Sequence, residues 1–330
     1  MIKFQNYHSH KMYTNVRISD STVTPAAYAE RARELGHTLL SSAEHGWQGN
    51  YFETIRVAKD YGLKPLVGAE AYWVKDRTEK DRSNCHIFLG ARNENGRQAL
   101  NDVLSEANLT GFYGQPRLDI PLLLSLPSTD IIVTTACIAY WRYDDIEDIT
   151  QRLFEHFGKN FFLEVQYHNT PSQIELNKRI LRMHNALKIP LIMGCDSHFI
   201  KTSDAQVRTD FLYSKGISYP DEEGWFLDYP DGDTAYERFA KQCVLSDGEI
   251  RDAMDNTNVF LDIEEYDSPI FNSEIKMPSL YPDLPQEEKD EIYKRLVWEG
   301  TKSTNALSGK GGKLTRAAFL KISISITLMK

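Results

Sequence analysis

The chain has 330 residues, 41% of them hydrophobic, with 38 Lys and Arg against 47 Asp and Glu. A net charge of −9 argues against a broad basic face that grips duplex DNA by neutralising phosphates alone, although bound metal ions would add positive charge that this count omits. With no long apolar run and no charged-then-apolar leader, the expectation is a soluble, cytoplasmic protein without a membrane partner, and Cys85, Cys137, Cys195 and Cys243, which form no C-x-x-C pair, are expected to be reduced.

In chain order, a β-like run over residues 4–8 ends in His8-Ser9-His10. Thr24 as N-cap, Pro25 at the first helical position and Gly36 as the stop predict a helix over 26–35. A strand over 38–40 precedes Glu44-His45-Gly46, and a helix over 51–61 ends at Gly62. A strand over 64–67 runs into Gly68-Ala69-Glu70, and another covers 85–90 with His86 on it. Helices are predicted over 95–106 and 146–157, with an apolar stretch over 131–133 that leads to Cys137. A strand over 161–166 contains Glu164; a long helix covers 172–187; the last strand, 190–193, opens into Asp196-Ser197-His198. Repeated β-α-β alternation marks a parallel sheet or barrel. A barrel brings its strand ends to one face, so His, Asp, Glu and Cys residues far apart in sequence converge there. Imidazole and carboxylate ligands in such number suit a cluster of zinc, manganese or iron ions that activates water as a nucleophile. A single His at a strand end is more often a hydrogen-bonded residue than a ligand; the metal reading rests on the recurrence of such clusters.

Beyond residue 203 the texture changes. Residues 218–234 read as a loop, 236–243 and 247–260 as helical, 269–285 as an extended linker with four prolines, and 287–299 as an amphipathic helix. The stretch from Lys302 is rich in Ser, Gly and Lys, and 317–329 is apolar and basic without caps, so 301–330 is expected to be a poorly ordered tail. Ser308-Gly309-Lys310-Gly311-Gly312-Lys313 lacks the glycine spacing and the Ser or Thr after Lys that a phosphate-binding loop requires.

These clusters, in this order, resemble the PHP (polymerase and histidinol phosphatase) domain, specifically that of bacterial and phage DNA polymerase III alpha subunits. The resemblance is carried by His8-x-His10 with the run Tyr13 to Ser21, by Glu44-His45-Gly46, by residues 63–72 around Gly68-Ala69-Glu70, by His86 to Gly96, and by Phe162-Leu163-Glu164-Val165-Gln166 with Cys195-Asp196-Ser197-His198. It implies an α/β fold, a distorted (β/α)7 TIM-like barrel over 1–203, followed by a mainly helical segment over 204–300 that joins it to the start of the polymerase palm. It also implies two to three zinc or manganese ions, with iron as the other candidate: His8, His10 and Asp196 at the first, Glu70 bridging to a second held by His86 and Cys137, and His45 and His198 at a third. There the family's usual His or Asp is replaced by Asp20 on a longer loop, and Glu44 stands for the usual Asp of the second motif. Glu70 and Asp196 are the expected catalytic centre, with Arg17 or Lys11 as a phosphate clamp.

The function so implied is the N-terminal PHP part of a replicative alpha subunit, able to hydrolyse phosphodiesters (a 3′–5′ exonuclease role among them). The palm carboxylates would lie downstream of Glu299, so the chain is expected to lack a polymerase site and to meet a DNA 3′ end or primer-template, and other replisome subunits, through the rest of the polymerase. The alternatives are a free-standing phosphatase of the histidinol-phosphatase type, which would not need the stretch 204–300, and a metal-stabilised interaction module, which would bind metal without turnover.

Overall fold

The computed structural model describes residues 2–219, 223–266, 274 and 281–303. Eight strands form one sheet: β1 (Leu39–Ser42), β2 (Lys64–Trp73), β3 (Cys85–Ala91), β4 (Phe112–Tyr113), β5 (Gln115–Leu118), β6 (Ile131–Thr134), β7 (Phe161–Val165) and β8 (Leu191–Met193). Around it lie the helices α1 (Pro25–Leu35), α2 (Tyr51–Tyr61), α3 (Glu94–Leu109), α4 (Ile120–Ser125), α5 (Ile146–Phe157), α6 (Pro171–Leu187), α7 (Ala205–Ser214), α8 (Gly232–Gln242) and α9 (Asp247–Asp255); α10 (Gln286–Ser303) belongs to a second unit. The caps act as the sequence signals. Thr24 Oγ1 accepts the Ala27 N–H at 3.2 Å ahead of Pro25, and Gly36 closes α1 at φ 71°, in the left-handed region that favours glycine.

The curled part of the sheet runs β1-β2-β3-β6-β7-β8, and the N-terminal segment lies between its two ends. That segment is not a regular strand: Ser9 makes a single parallel bridge to Ser197, with His10 N–H donating to Ser197 O at 2.8 Å, while Ser9 Oγ and Ser41 Oγ meet at 3.0 Å on the β1 side. Six strands and this segment make the seven staves of the distorted α/β barrel. The expected all-parallel alternation fails at one stave. β3 is antiparallel to both β2 and β6, because the connection over 74–84 is a charged loop without the crossover helix that a parallel return requires.

Alternation along the strands sorts the side chains. Leu66, Phe88, Ile132, Phe162 and Ile192 pack inside the barrel with Tyr7 and Phe260, whereas Ala69, Ala71, Trp73, Ile87, Leu89, Ile131, Val133, Leu163 and Leu191 face the helices. Two, four or six positions further along the inward face of the parallel strands come Glu70 and Tyr72 on β2, Thr134 on β6 and Glu164 on β7. On the reversed β3 it is His86, two positions before Phe88, that reaches the same end.

Residues 1–270 form one compact unit and 271–330 another. Residues 256–261, a short 3-10 helix where a continuation of the preceding helix was expected, close the barrel floor: Phe260 packs against Tyr7 at 4.5 Å between ring centroids, Thr257 Oγ1 accepts the Gln5 N–H at 2.7 Å, and Asn256 Nδ2 donates to Leu191 O at 2.7 Å. The elements β4, β5, α4 and α7 had no counterpart among the predicted ones. Most of the proline-rich linker, the tail beyond 303 and the glycine-lysine stretch at 308–313 lie outside the described residues. Among the described residues no helix is long and apolar enough to cross a membrane.

Candidate metal centre

At the end of the barrel where β2, β6, β7 and β8 finish, three groups of potential ligands share members: His8, His10 and Asp196; His45, Glu70 and His86; and His10, His45 and His198. All are buried except His86, which is partly exposed. Glu70 is central. Its Oε1 lies 3.4 Å from His8 Nε2 and 3.1 Å from His86 Nδ1, and its Oε2 lies 3.4 Å from His10 Nε2 and 2.8 Å from His45 Nδ1. Asp196 Oδ1 is 3.4 Å from His8 Nε2 and 3.1 Å from His10 Nε2. The His10 ring is stacked between those of His45, at 4.2 Å, and His198, at 4.6 Å. Asp20 Oδ2 approaches His198 Nε2 at 2.7 Å and His45 Nε2 at 3.8 Å, and Cys137 Sγ is 3.2 Å from His86 Nδ1.

His86 Nδ1 is within hydrogen-bonding distance of Glu70 Oε1 and Cys137 Sγ, but several of the other atoms have no such partner. His8 Nε2, both ring nitrogens of His10, His45 Nδ1, His198 Nε2 and Glu70 Oε2 are buried and have no hydrogen-bond partner. So many orphaned polar atoms in one place cost free energy unless something else satisfies them. Donors held about 2.1 Å from a common tetrahedral ion stand roughly 3.4 Å apart, and the His8, His10, Glu70 and Asp196 separations match that spacing. The residues present therefore fit divalent transition metals.

Surrounding groups fix the rings. Glu164 Oε1 accepts from His8 Nδ1 at 2.7 Å, leaving Nε2 to face the cluster; Glu164 also accepts from Tyr7 OH at 2.6 Å, Thr134 Oγ1 at 2.7 Å and Gln166 Nε2 at 3.0 Å. His198 Nδ1 donates to Asp196 O at 2.9 Å, turning its Nε2 inward. Asp196 sits at φ 48°, a strained position of the kind that surrounding structure must enforce. Asp20 is clamped by Arg208 of α7, whose Nε donates to Asp20 O at 2.9 Å and whose Nη2 meets Oδ1.

The charges are correspondingly displaced. Burial opposes the charged form of His8, but Glu164, Asp196 and Glu70 outweigh it and hold its pKa well above the ordinary value. For His45, burial is likewise outweighed, by Glu70 and Asp20, and its pKa is pushed up to about 10. His10, where burial adds to the repulsion of His45, is driven down to about 3. Glu70 is held well below the carboxylate range despite its burial, by His86, His45 and His8.

Three predicted residues do not join the ligand cluster. Glu44, adjacent to His45, turns the other way: its carboxylate accepts the Lys11 N–H at 3.1 Å and Asn50 Nδ2 at 2.8 Å, and burial raises its pKa to about 7. Arg17 reaches Asn108 Oδ1 at 2.9 Å through Nη2. Lys11 is likewise turned away, its Nζ donating to Ser9 O and Ser9 Oγ, both at 2.9 Å. Sequence reasoning placed Glu164 on a strand but gave it no role, although inward alternation on β7 would have aimed it at the His8 stave; nothing local marks Arg208.

An α/β barrel with a cluster of buried histidines and carboxylates at one end is the class that fold and site define. Residues 6–168 match the PHP domain family, and the chain carries a PHP domain over that span. It is 28% identical over 217 residues to the DNA polymerase III subunit alpha of Borreliella burgdorferi, covering 62% of this chain and 19% of that one. It is 25% identical over 313 residues to a DNA-directed DNA polymerase of Bacillus phage SPbeta, covering 81% of this chain and 22% of that one. The chain thus spans about a fifth of the length of these relatives. Among solved structures it is similar, at a TM-score of 0.38 and 17% identity over 72% of this chain and 96% of the other, to a protein of Bifidobacterium adolescentis whose descriptive name ascribes to it metal-dependent phosphoesterase activity.

Proposed function

We propose that this chain is the PHP-bearing N-terminal part of a DNA polymerase III alpha-type subunit and that its cluster holds two to three zinc or manganese ions and hydrolyses phosphodiesters, with a DNA 3′ end as substrate. The observation that carries the reading is the convergence of unpartnered, buried His and Glu atoms from separate strand ends on one point of the barrel. His8, His10 and Asp196 would hold one ion, His86 and Cys137 a second, with Glu70 between them, and His45, His198 and Asp20 a third. When bound, such ions supply Lewis acidity toward a phosphoryl oxygen and acidify water. The chain's own contribution is positioning. Glu164 and Asp196 O take the Nδ1 protons of His8 and His198, so the opposite nitrogens of both rings face inward. Arg17, whose Nε is a buried atom without a partner, supplies positive charge for the phosphate of the substrate. Residues 204–300 would join the barrel to the polymerase palm, through which contacts to primer-template and replisome subunits would be made.

The test is elemental analysis of the purified chain after incubation with Zn²⁺ or Mn²⁺, paired with hydrolysis of bis(p-nitrophenyl) phosphate and of a 3′-labelled oligonucleotide. Two to three ions per chain with turnover of both substrates is the expected result. Fewer than one ion overturns the metal reading, and full metal loading without turnover of either substrate overturns the hydrolytic one in favour of a metal-stabilised module.

A further inference from the structure

Tyr72 faces the cluster but has no part in the ligand assignment above. It follows Glu70 by two positions on β2, which puts it on the same face, and it is paired across the strands with His86. Its ring is stacked with His45 at 6.0 Å, 22° between planes, and meets His86 edge-on at 5.0 Å. The side chain is 1% exposed, yet its hydroxyl has no hydrogen-bond partner, a group that a phenylalanine would leave out at a gain in stability. The ring is also held in place. Gly46 has φ 69°, and a Cβ there would come within 2.8 Å of Tyr72 Cδ2 and 3.2 Å of Pro116 Cγ, so only glycine lets the loop after β1 close over this ring. A phenolic hydroxyl is an O–H donor at neutral pH, so the group can donate to an incoming acceptor.

We infer that the Tyr72 hydroxyl is a substrate-binding group, donating a hydrogen bond to a non-bridging oxygen of the phosphoryl group bound at this centre. The inference rests on the phosphoesterase reading. It explains why the barrel keeps an unsatisfied hydroxyl against two of the histidines: its partner arrives with the substrate, and an oxyanion is the acceptor that a protonated hydroxyl and the nearby Arg17 charge both favour.

The experiment compares the full chain with its Tyr72→Phe variant, both loaded with Mn²⁺, and uses inorganic phosphate as the probe, by calorimetric titration and as a competitive inhibitor of bis(p-nitrophenyl) phosphate hydrolysis. The expected result is unchanged metal content, a melting temperature without phosphate equal to or above that of the parent, phosphate binding about tenfold weaker, and a KM raised by a similar factor. Equal phosphate affinity in the two proteins overturns the inference while leaving the hydrolase reading intact. A variant that loses metal or melts lower also overturns it, by showing that the hydroxyl belongs to the protein's own bonding. If the parent itself binds metal but neither phosphate nor substrate, the phosphoesterase reading falls and takes the inference with it.

Discussion

His8 and Asp20 stand on opposite flanks of the same histidine stack and are braced by groups of opposite charge. On the His8 flank the brace is Glu164, an inward residue of β7 that is itself held by Tyr7 and Thr134 from neighbouring staves and by Gln166 just after β7. On the Asp20 flank it is Arg208, from α7, outside the residues that match the PHP family. The two braces act differently on a metal. A carboxylate behind an imidazole makes the ring a stronger donor as well as orienting it, whereas an arginine clamped on a carboxylate orients it but withdraws electron density. The His8 flank is therefore the tighter side of the centre, and the Asp20 flank the weaker and more adjustable one.

The most severe way to break this asymmetry is to remove what both flanks share. Glu70→Gln keeps the shape but takes away the charge that lies within 3.4 Å of His8, His10, His45 and His86. Hydrolysis should fall on the order of 10³-fold or more. Asp20→Asn, confined to the weaker flank, should cost much less in single-turnover assays; a larger loss for Asp20→Asn would reverse the ranking of the flanks.

An intermediate effect is expected from Glu164→Gln. The amide can still accept from His8 Nδ1, but it no longer strengthens the ring as a donor, and the three other donors to this carboxylate must share a weaker acceptor. Metal affinity should drop roughly 10- to 100-fold at one ion, read by competition with a chromogenic chelator, with the remaining ions retained. Uniform loss of all ions would mean that the flanks are not separable.

The cluster was legible in the sequence for a physical reason. His45, Glu70, Asp196 and His198 each follow a short apolar or β-branched run and His8 and His10 a β-like one, and such runs end on one face of a barrel, so local pattern could bring them together. What escaped depends on non-local facts. The reversal of β3 follows from the missing crossover helix between 73 and 85, and without it His86, at the start of its strand, would point to the opposite end. Glu44 looked like a ligand because it adjoins His45, but neighbouring side chains in extended chain face opposite ways, and the Lys11 N–H and Asn50 were there to receive it. Arg208 carries no local signal, since its role is set by the packing of α7 against the loop that carries Asp20.

Arg208→Lys probes the weaker flank most gently. The arginine is buried and uses two edges, Nε on Asp20 O and Nη2 on Asp20 Oδ1. Lysine keeps the positive charge, so Asp20 is not left as an uncompensated buried carboxylate, but an ammonium cannot span both acceptors with fixed geometry. The expected cost is that of one hydrogen bond to a charged group, about 1.5–3 kcal/mol at most in folding stability, together with a loss of a few-fold in affinity for a single ion. Stability is read by denaturant titration of the metal-free chain, which isolates the clamp from ligand binding, and affinity by the same chelator competition. The flank model requires the affected ion to differ from the one weakened by Glu164→Gln, so the double variant should lose the two affinities additively. Strong non-additivity would show that Glu164 and Arg208 act on one shared site, and the two flanks would then have to be redrawn as a single coupled unit.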